Sequence, residues 1–311
     1  VTGAVLAAAV GFAVLVLASG RFVSGAAGLS LRLQVPAVVV GAVVVGFGTS
    51  MPELLASTLA AAAGARDIAA GNVVGSNLAN LTLVLGLVAL AASPAVTSRV
   101  LRREVPLTVA AMGGLAVALG GFTRWAATVL LAAFAVAIGL VLRASRGGDD
   151  VLGAEVHSEL DQQARRPWRD LVVETAVGLV GTVVGAHLLV SGARGLADRL
   201  DLAEGLVGFT LVALGTSLPE VVTAVQAARH GDPDLAVGNV LGSNLFNSLA
   251  IGGVAGLVAP GVVDSGLVAT AWLSVAVVAG VGLLMWTSRR LARWEGAVLV
   301  GAYLVSIPIV A

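Results

Sequence analysis

Apolar runs of membrane-crossing length follow one another almost end to end along this chain. A helix needs about 20 mostly apolar residues to cross a bilayer. Ten such runs can be marked, at 2–19, 35–63, 68–91, 105–121, 125–142, 171–190, 202–228, 235–259, 267–286 and 295–310. One long hydrophilic connection, 143–170, carries mixed charges and Pro167, and its length suits a solvated linker rather than a folded domain. Trp168, Trp286 and Trp294 stand at predicted span ends, as interfacial anchors do.

The pattern is written twice. Residues 48–80 recur without a gap 167 positions later, so that Thr49 pairs with Thr216, Ser50 with Ser217, Pro52 with Pro219 and Glu53 with Glu220. Further on, Ser76 pairs with Ser243, Asn77 with Asn244 and Asn80 with Asn247. Each repeat holds five spans, an odd number, so the second copy must enter the membrane from the opposite side. Two units of opposed topology are the mark of secondary transporters whose site lies at the repeat interface, near the bilayer midplane. The expected fold is therefore all-α and membrane-integral, about ten transmembrane helices in two inverted five-helix repeats with broken helices at the core. Residues 1–143 form the first repeat, 144–168 a cytoplasmic linker and 169–311 the second repeat.

Composition agrees with this and excludes other classes. At 58% hydrophobic, 12% charged and a mean hydropathy of +1.00, the chain is too apolar for a soluble domain. Forty glycines suit close helix–helix approach. There is no cysteine, which removes disulfides and thiolate metal sites, and the zero net charge gives no reason to expect nucleic-acid binding. The first run lacks a positively charged n-region and matches the sixth, so it reads as a retained span. With the N-terminus outside, fourteen of the eighteen arginines fall on the cytoplasmic side and four on the outer side. Both termini are accordingly expected outside, in a cell membrane.

Two acidic residues stand apart. Nearly all of the eighteen lie in loops or at span ends, but Glu53 and Glu220 sit deep within apolar runs, each just after a proline. A carboxylate at that depth costs roughly 2.5–3.5 kcal/mol on insertion scales, and neither motif contains an Arg or His to offset it. A cation that comes and goes is the simplest counter-charge. Gly-Thr-Ser-X-Pro-Glu breaks the helix, because proline removes a backbone donor and clashes with the preceding turn. Freed carbonyls at the break, with the Thr and Ser hydroxyls, supply neutral oxygens of the kind hard cations take. The glycines spaced four apart, Gly71 and Gly75 with their mates Gly238 and Gly242, read as close packing that turns Ser76, Asn80, Ser243 and Asn247 toward the carboxylates. Asn72 and Asn239 read as caps or interhelical bonds, Asp67 and Asp234 as helix caps, Asp170 and Glu174 as groups facing water or headgroups, and His187 as a packing or interfacial residue.

The paired Gly-Thr-Ser-X-Pro-Glu and Gly-Ser-Asn-x-x-Asn motifs resemble the two α-repeats of the sodium/calcium exchanger family, within the calcium/cation antiporter superfamily, and the chain looks like a prokaryotic member. The resemblance implies a diamond of four sites. Glu53 and Glu220, with the carbonyls of Thr49 and Thr216, would bind Ca²⁺. Flanking Na⁺ sites would use Gly46 O, Ser50 and Ser76 on one side and Ala213 O, Ser217 and Ser243 on the other, joined by the Thr49 and Thr216 hydroxyls. It implies three Na⁺ per Ca²⁺, whereas the residues show only enough oxygens for more than one Na⁺. Potassium-dependent relatives carry Asp where this chain has Asn247, which argues against potassium co-transport, and 143–170 is too short for a regulatory calcium-binding loop. No cofactor, enzymatic activity or obligate protein partner is expected; the partners are Ca²⁺, Na⁺ and the lipid bilayer. A proton/calcium antiporter of the same superfamily, a cation channel lined by Glu53 and Glu220, and a non-transporting scaffold are the alternatives.

Overall fold

A computed structural model of the chain describes residues 1–35, 40, 48–96, 100–145, 165–230 and 233–310. Among them the elements are helices, apart from one isolated bridge between Ala95 and Arg290. The first repeat supplies α1 (Thr2–Arg32), α2 (Met51–Ala62), α3 (Arg66–Ala92), α4 (Val105–Leu119) and α5 (Arg124–Ser145). The second supplies α6 (Trp168–Leu200), α7 (Glu204–Thr216), α8 (Leu218–His230), α9 (233–258), α10 (Ser265–Ser288) and α11 (Arg293–Val310). Shifted by 167, α1 falls on α6, α2 on α8, α3 on α9, α4 on α10 and α5 on α11; the mate of α7 lies mostly outside the described residues.

By length and composition, five of the described helices are apolar enough to cross a membrane, with a sixth if α7 and α8 are one span bent by 44°. The rest of the ten spans correspond to α2, α4, α5 and α11, most of the first part of the 35–63 run lying outside the described residues. Two limits read from sequence are corrected. The runs 2–19 and 171–190 end inside α1 and α6, which continue to Arg32 and Leu200 with 31 and 33 residues. At about 1.5 Å per residue each is far longer than the ~30 Å hydrocarbon layer, so it must tilt or project beyond it. Apolar blocks mark where lipid is; helix ends are set by hydrogen bonding, which carries on past the last apolar residue. Arg21 and Arg194, read as loop residues, consequently lie within helices.

α1 and α6 pack antiparallel along their whole length. A Cβ on Gly11 would strike the backbone of Leu189, one on Gly178 that of Phe22, one on Gly185 that of Leu15 and one on Gly192 that of Ala8. The first two contacts are the same contact exchanged between repeats, since Gly11 maps to Gly178 and Phe22 to Leu189. Gly25 against Thr175 and Gly192 against Ala8 are another such pair. Two equivalent helices running in opposite directions through contacts that map onto each other are the inverted repeat in three dimensions.

α3 and α9 form the interior, with 83% and 78% of their most apolar windows buried, against 33% for α1. Small residues set the approach of α3 to α7: a Cβ on Gly71 would lie 2.5 Å from Gly205 O, and one on Gly75 2.5 Å from Phe209 O. Each central helix also takes one π-helical turn at the same repeat position, Asn80–Val84 in α3 and Asn247–Ile251 in α9. Such turns insert a residue into the α-helical ladder and concentrate at functional sites. Asp67 does not cap its own helix as expected; it accepts the backbone N–H of Asp264 at 3.2 Å and so ties α3 to the start of α10. The side chain of Asp234 lies outside the described residues. Trp168, Trp286 and Trp294 are exposed, as anchors at span ends should be.

Candidate ion-binding site

The two sharp breaks come at Ser50 (φ −88°, ψ 10°) and Ser217 (φ −85°, ψ 2°), each followed two residues later by proline in the first turn of the next helix. Those dihedrals lie in the sparsely populated bridge region. Proline has no N–H to extend the preceding helix and suits the first turn of a new one. The sequence thus stops one helix and starts another with a glutamate at its N-terminal end, where helix polarity favours negative charge.

Glu53 and Glu220 are 1% and 0% exposed. Each is held by a serine of the opposite repeat: the Ser217 hydroxyl donates to Glu53 Oε1 at 3.2 Å, and the Ser50 hydroxyl donates to Glu220 Oε1 at 2.9 Å. Thr216 lies beside Glu53 and Thr49 beside Glu220, again across the repeats. Neither carboxylate bonds a cationic side chain among the described residues; the ion pairs found there, Arg166–Glu174 and Arg194–Glu204, involve other groups. No cluster of three or more His, Cys, Asp or Glu occurs among the described residues either, so the acidic content of the site is this pair.

Among the buried oxygens with no hydrogen-bond partner among the described residues are seven that belong to residues expected to form the site. They are Oε2 of Glu53 and of Glu220, Oγ of Ser76 and of Ser243, Oδ1 of Asn80 and of Asn247, and Oγ1 of Thr49. A buried polar group left unpaired costs about 1–3 kcal/mol, and native proteins rarely tolerate several together. Six of the seven form repeat-related pairs. Two carboxylates together with neutral hydroxyl and amide oxygens would be a donor set suited to hard cations such as Ca²⁺ and Na⁺. Ala213 is buried, and its carbonyl already accepts the Ser217 N–H at 3.0 Å and the Thr216 hydroxyl at 3.3 Å. Gly46 lies outside the described residues.

Asn72 makes the interhelical bonds expected of it. Its Nδ2 donates to Glu53 O at 3.2 Å and to Ser57 Oγ at 2.8 Å, while its Oδ1 accepts the Thr216 hydroxyl at 3.2 Å. The break before Glu53 is thereby braced against both α3 and the end of α7. Sequence reasoning passed over Asn244, which accepts the Asn80 amide at 3.0 Å, and Ser248, which accepts the Asn77 amide at 2.9 Å. Asn77 and Asn244 were already in the repeated motif, three residues from Asn80 and Asn247, a helical spacing that puts them on one face. Ser248 carries no such signal, because the first repeat has Leu81 in its place. His187 is exposed.

The halves differ in how their broken helices pack. α2 packs against α6, whereas its mate α8 barely touches α1. Between α1 and α8 opens a cavity of about 1050 Å³, lined by Phe12, Val16, Val23, Thr49, Val222 and Thr223 among others and reaching Arg166 at its outer end. Thr49 thus joins the carboxylate pair to an opening on one side of the molecule.

A family model described as "Sodium/calcium exchanger protein" matches residues 3–143 and 171–311. The chain is similar to inner membrane protein YrbG of Escherichia coli (strain K12), at 34% identity over 95% of this chain and 93% of the relative. It is also similar to the sodium/calcium exchanger MaX1 of Methanosarcina acetivorans, at 28% identity over 94% of each. Among solved structures, the sodium-calcium exchanger NCX_Mj soaked with 100 mM Na⁺ and 10 mM Sr²⁺ matches with a TM-score of 0.66 and 29% identity, covering 99% of this chain and 98% of that one. With the duplicated match, the inverted repeat and the buried carboxylate pair together, this chain belongs to the sodium/calcium exchanger protein family and is a membrane-integral cation antiporter rather than an enzyme.

Proposed function

We propose that this antiporter exchanges Na⁺ for Ca²⁺, and that the two ions compete for Glu53 and Glu220. The observation that carries the reading is the crossed arrangement in which each repeat's serine holds the other repeat's carboxylate and one oxygen of each carboxylate has no partner among the described residues. One Ca²⁺ balances both negative charges. Several Na⁺ balance the same charges only by also taking neutral oxygens, and Ser50, Ser76, Ser217, Ser243, Thr49, Thr216, Asn80 and Asn247, with the carbonyls of Gly46 and Ala213, are the groups we assign to them. Because both ions draw on the same two carboxylates, full occupancy by one excludes the other, which is what coupled exchange requires.

Alternating access has a basis in the same geometry. Residues 1–143 and 169–311 are near-equivalent halves joined by the linker 144–168, and one half holds its broken helix against α6 while the other stands off from α1. Exchanging those two arrangements would close the cavity beside Thr49 and open its mate on the far side. In the ion-free carrier two uncompensated charges would have to move past apolar walls, so crossing without cargo is disfavoured. With both termini outside and the protein in the cell membrane, the described cavity faces the cytoplasm.

The test is ⁴⁵Ca²⁺ uptake into proteoliposomes under imposed Na⁺, K⁺ or H⁺ gradients. Uptake should follow the Na⁺ gradient alone. Full uptake driven by a proton gradient without Na⁺ would replace Na⁺ by H⁺ as the coupling ion, and single-channel currents would replace the carrier by a pore.

A further inference from the structure

The central helices should make two equivalent amide contacts, and they make one. Asn80 Nδ2 donates to Asn244 Oδ1 at 3.0 Å, joining α3 to α9. Exchanged between repeats, that contact would join Asn247 to Asn77. Instead the Asn77 Nδ2 donates to the Ser248 hydroxyl at 2.9 Å, which sets the orientation of the Asn77 carboxamide; its Oδ1 and both polar atoms of the Asn247 amide have no partner among the described residues, although Asn247 is 1% exposed. The cause is a single difference between the repeats. Ser248 corresponds to Leu81, which has no polar atom to offer Asn244, so Asn244 turns to Asn80. Asn77 meets a hydroxyl one residue from Asn247 and stays there.

We propose that Ser248 is a positioning residue for ion binding: by holding Asn77 it keeps the Asn247 carboxamide uncommitted, so that this amide oxygen serves the transported cation. The two repeats then contribute unlike amide ligands. Asn80 presents its oxygen from a carboxamide pinned to α9, whereas Asn247 can rotate to follow the ion. Nothing in the buried pair of glutamates distinguishes the halves in this way. The inference rests on the reading above that Asn247 belongs to the ion site.

Ser248→Ala tests it. Without the hydroxyl, Asn77 should swing to Asn247 as Asn244 does to Asn80, and the half-saturating Na⁺ concentration for exchange should rise several-fold with little change in maximal rate. The decisive readout is the second substitution. Asn77→Ala in the Ser248→Ala background removes the competitor for Asn247 and should restore the Na⁺ dependence of the parent; Ser248→Thr, which keeps the hydroxyl, should match the parent from the start. If the double variant is worse than Ser248→Ala, Ser248 acts through packing and the inference is overturned, as it is if Ser248→Ala leaves the Na⁺ dependence unchanged. Asn247→Ala run alongside separates the two levels. If it leaves the ion dependence unaltered, Asn247 is not a ligand, and the site assignment falls together with this inference. If it weakens Na⁺ dependence while Ser248→Ala does nothing, only the inference falls. Calorimetric Na⁺ titration of each purified variant reads the same differences without transport.

Discussion

Replacing Glu53 by Gln removes one charge and almost no volume. The Ser217 hydroxyl, now 3.2 Å from Glu53 Oε1, can donate to the amide oxygen just as well. The backbone bond from Asn72 to Glu53 O does not involve the side chain and should persist. What changes is that a divalent ion meets one negative charge in place of two. Removing one partner of a buried charge pair costs about 3–5 kcal/mol, and at 1.4 kcal/mol per decade this is a loss of roughly 10²–10⁴ in Ca²⁺ affinity. The ion-free protein should respond with the other sign. Without an ion, two buried carboxylates would carry like charges that no cationic side chain among the described residues balances, and the substitution removes one of them. Glu53→Gln should therefore abolish Na⁺-driven ⁴⁵Ca²⁺ uptake in proteoliposomes and Ca²⁺ binding by calorimetry, while thermal unfolding without ions occurs at the parent's temperature or above it. Near-normal flux would refute the carboxylate argument. Lost flux with a lower unfolding temperature would show that Glu53 supports the fold instead.

Three further outcomes are expected. Gly185→Val drives a side chain into the backbone of Leu15, an overpacking that costs about 1–3 kcal/mol, so the variant should unfold at a lower temperature in detergent, whereas Gly20→Ala on α1, whose Cβ meets nothing within 4 Å, should not. Protons compete for the carboxylate oxygens, so lowering the pH from neutral toward the carboxyl range should inhibit exchange, and raising Ca²⁺ should relieve it; flux independent of pH would contradict this. Thr223 is exposed, whereas its repeat mate Ala56 is fully buried. In this cysteine-free chain a membrane-impermeant maleimide should therefore modify Thr223→Cys faster than Ala56→Cys, and equal rates would argue against a cavity open on one side.

Most of the architecture can be read along the chain because hydrophobicity and duplication are local properties. Apolar runs locate the spans, an odd number of them per copy dictates inversion, and Pro52 and Pro219 mark where helices must stop. Glu53 and Glu220 stand out since each is an acid far from any polar run. Gly71 and Gly75 were readable as a packing face, although which helix they meet, α7, was not. The limits of α1 and α6 were misjudged at 19 and 190 because apolarity reports on lipid rather than on helical hydrogen bonds.

Three features depend on contacts between residues more than 100 positions apart, and no local pattern contains them. The first is the crossing of Ser50 to Glu220 and Ser217 to Glu53, which each motif alone would equally allow within its own repeat. The second is the capture of Asn77 by Ser248, invisible until α3 and α9 are laid side by side. The third is the open side. Two copies of one pattern leave open which of them holds its broken helix close, and only the packed protein, with α2 against α6 and α8 away from α1, decides it.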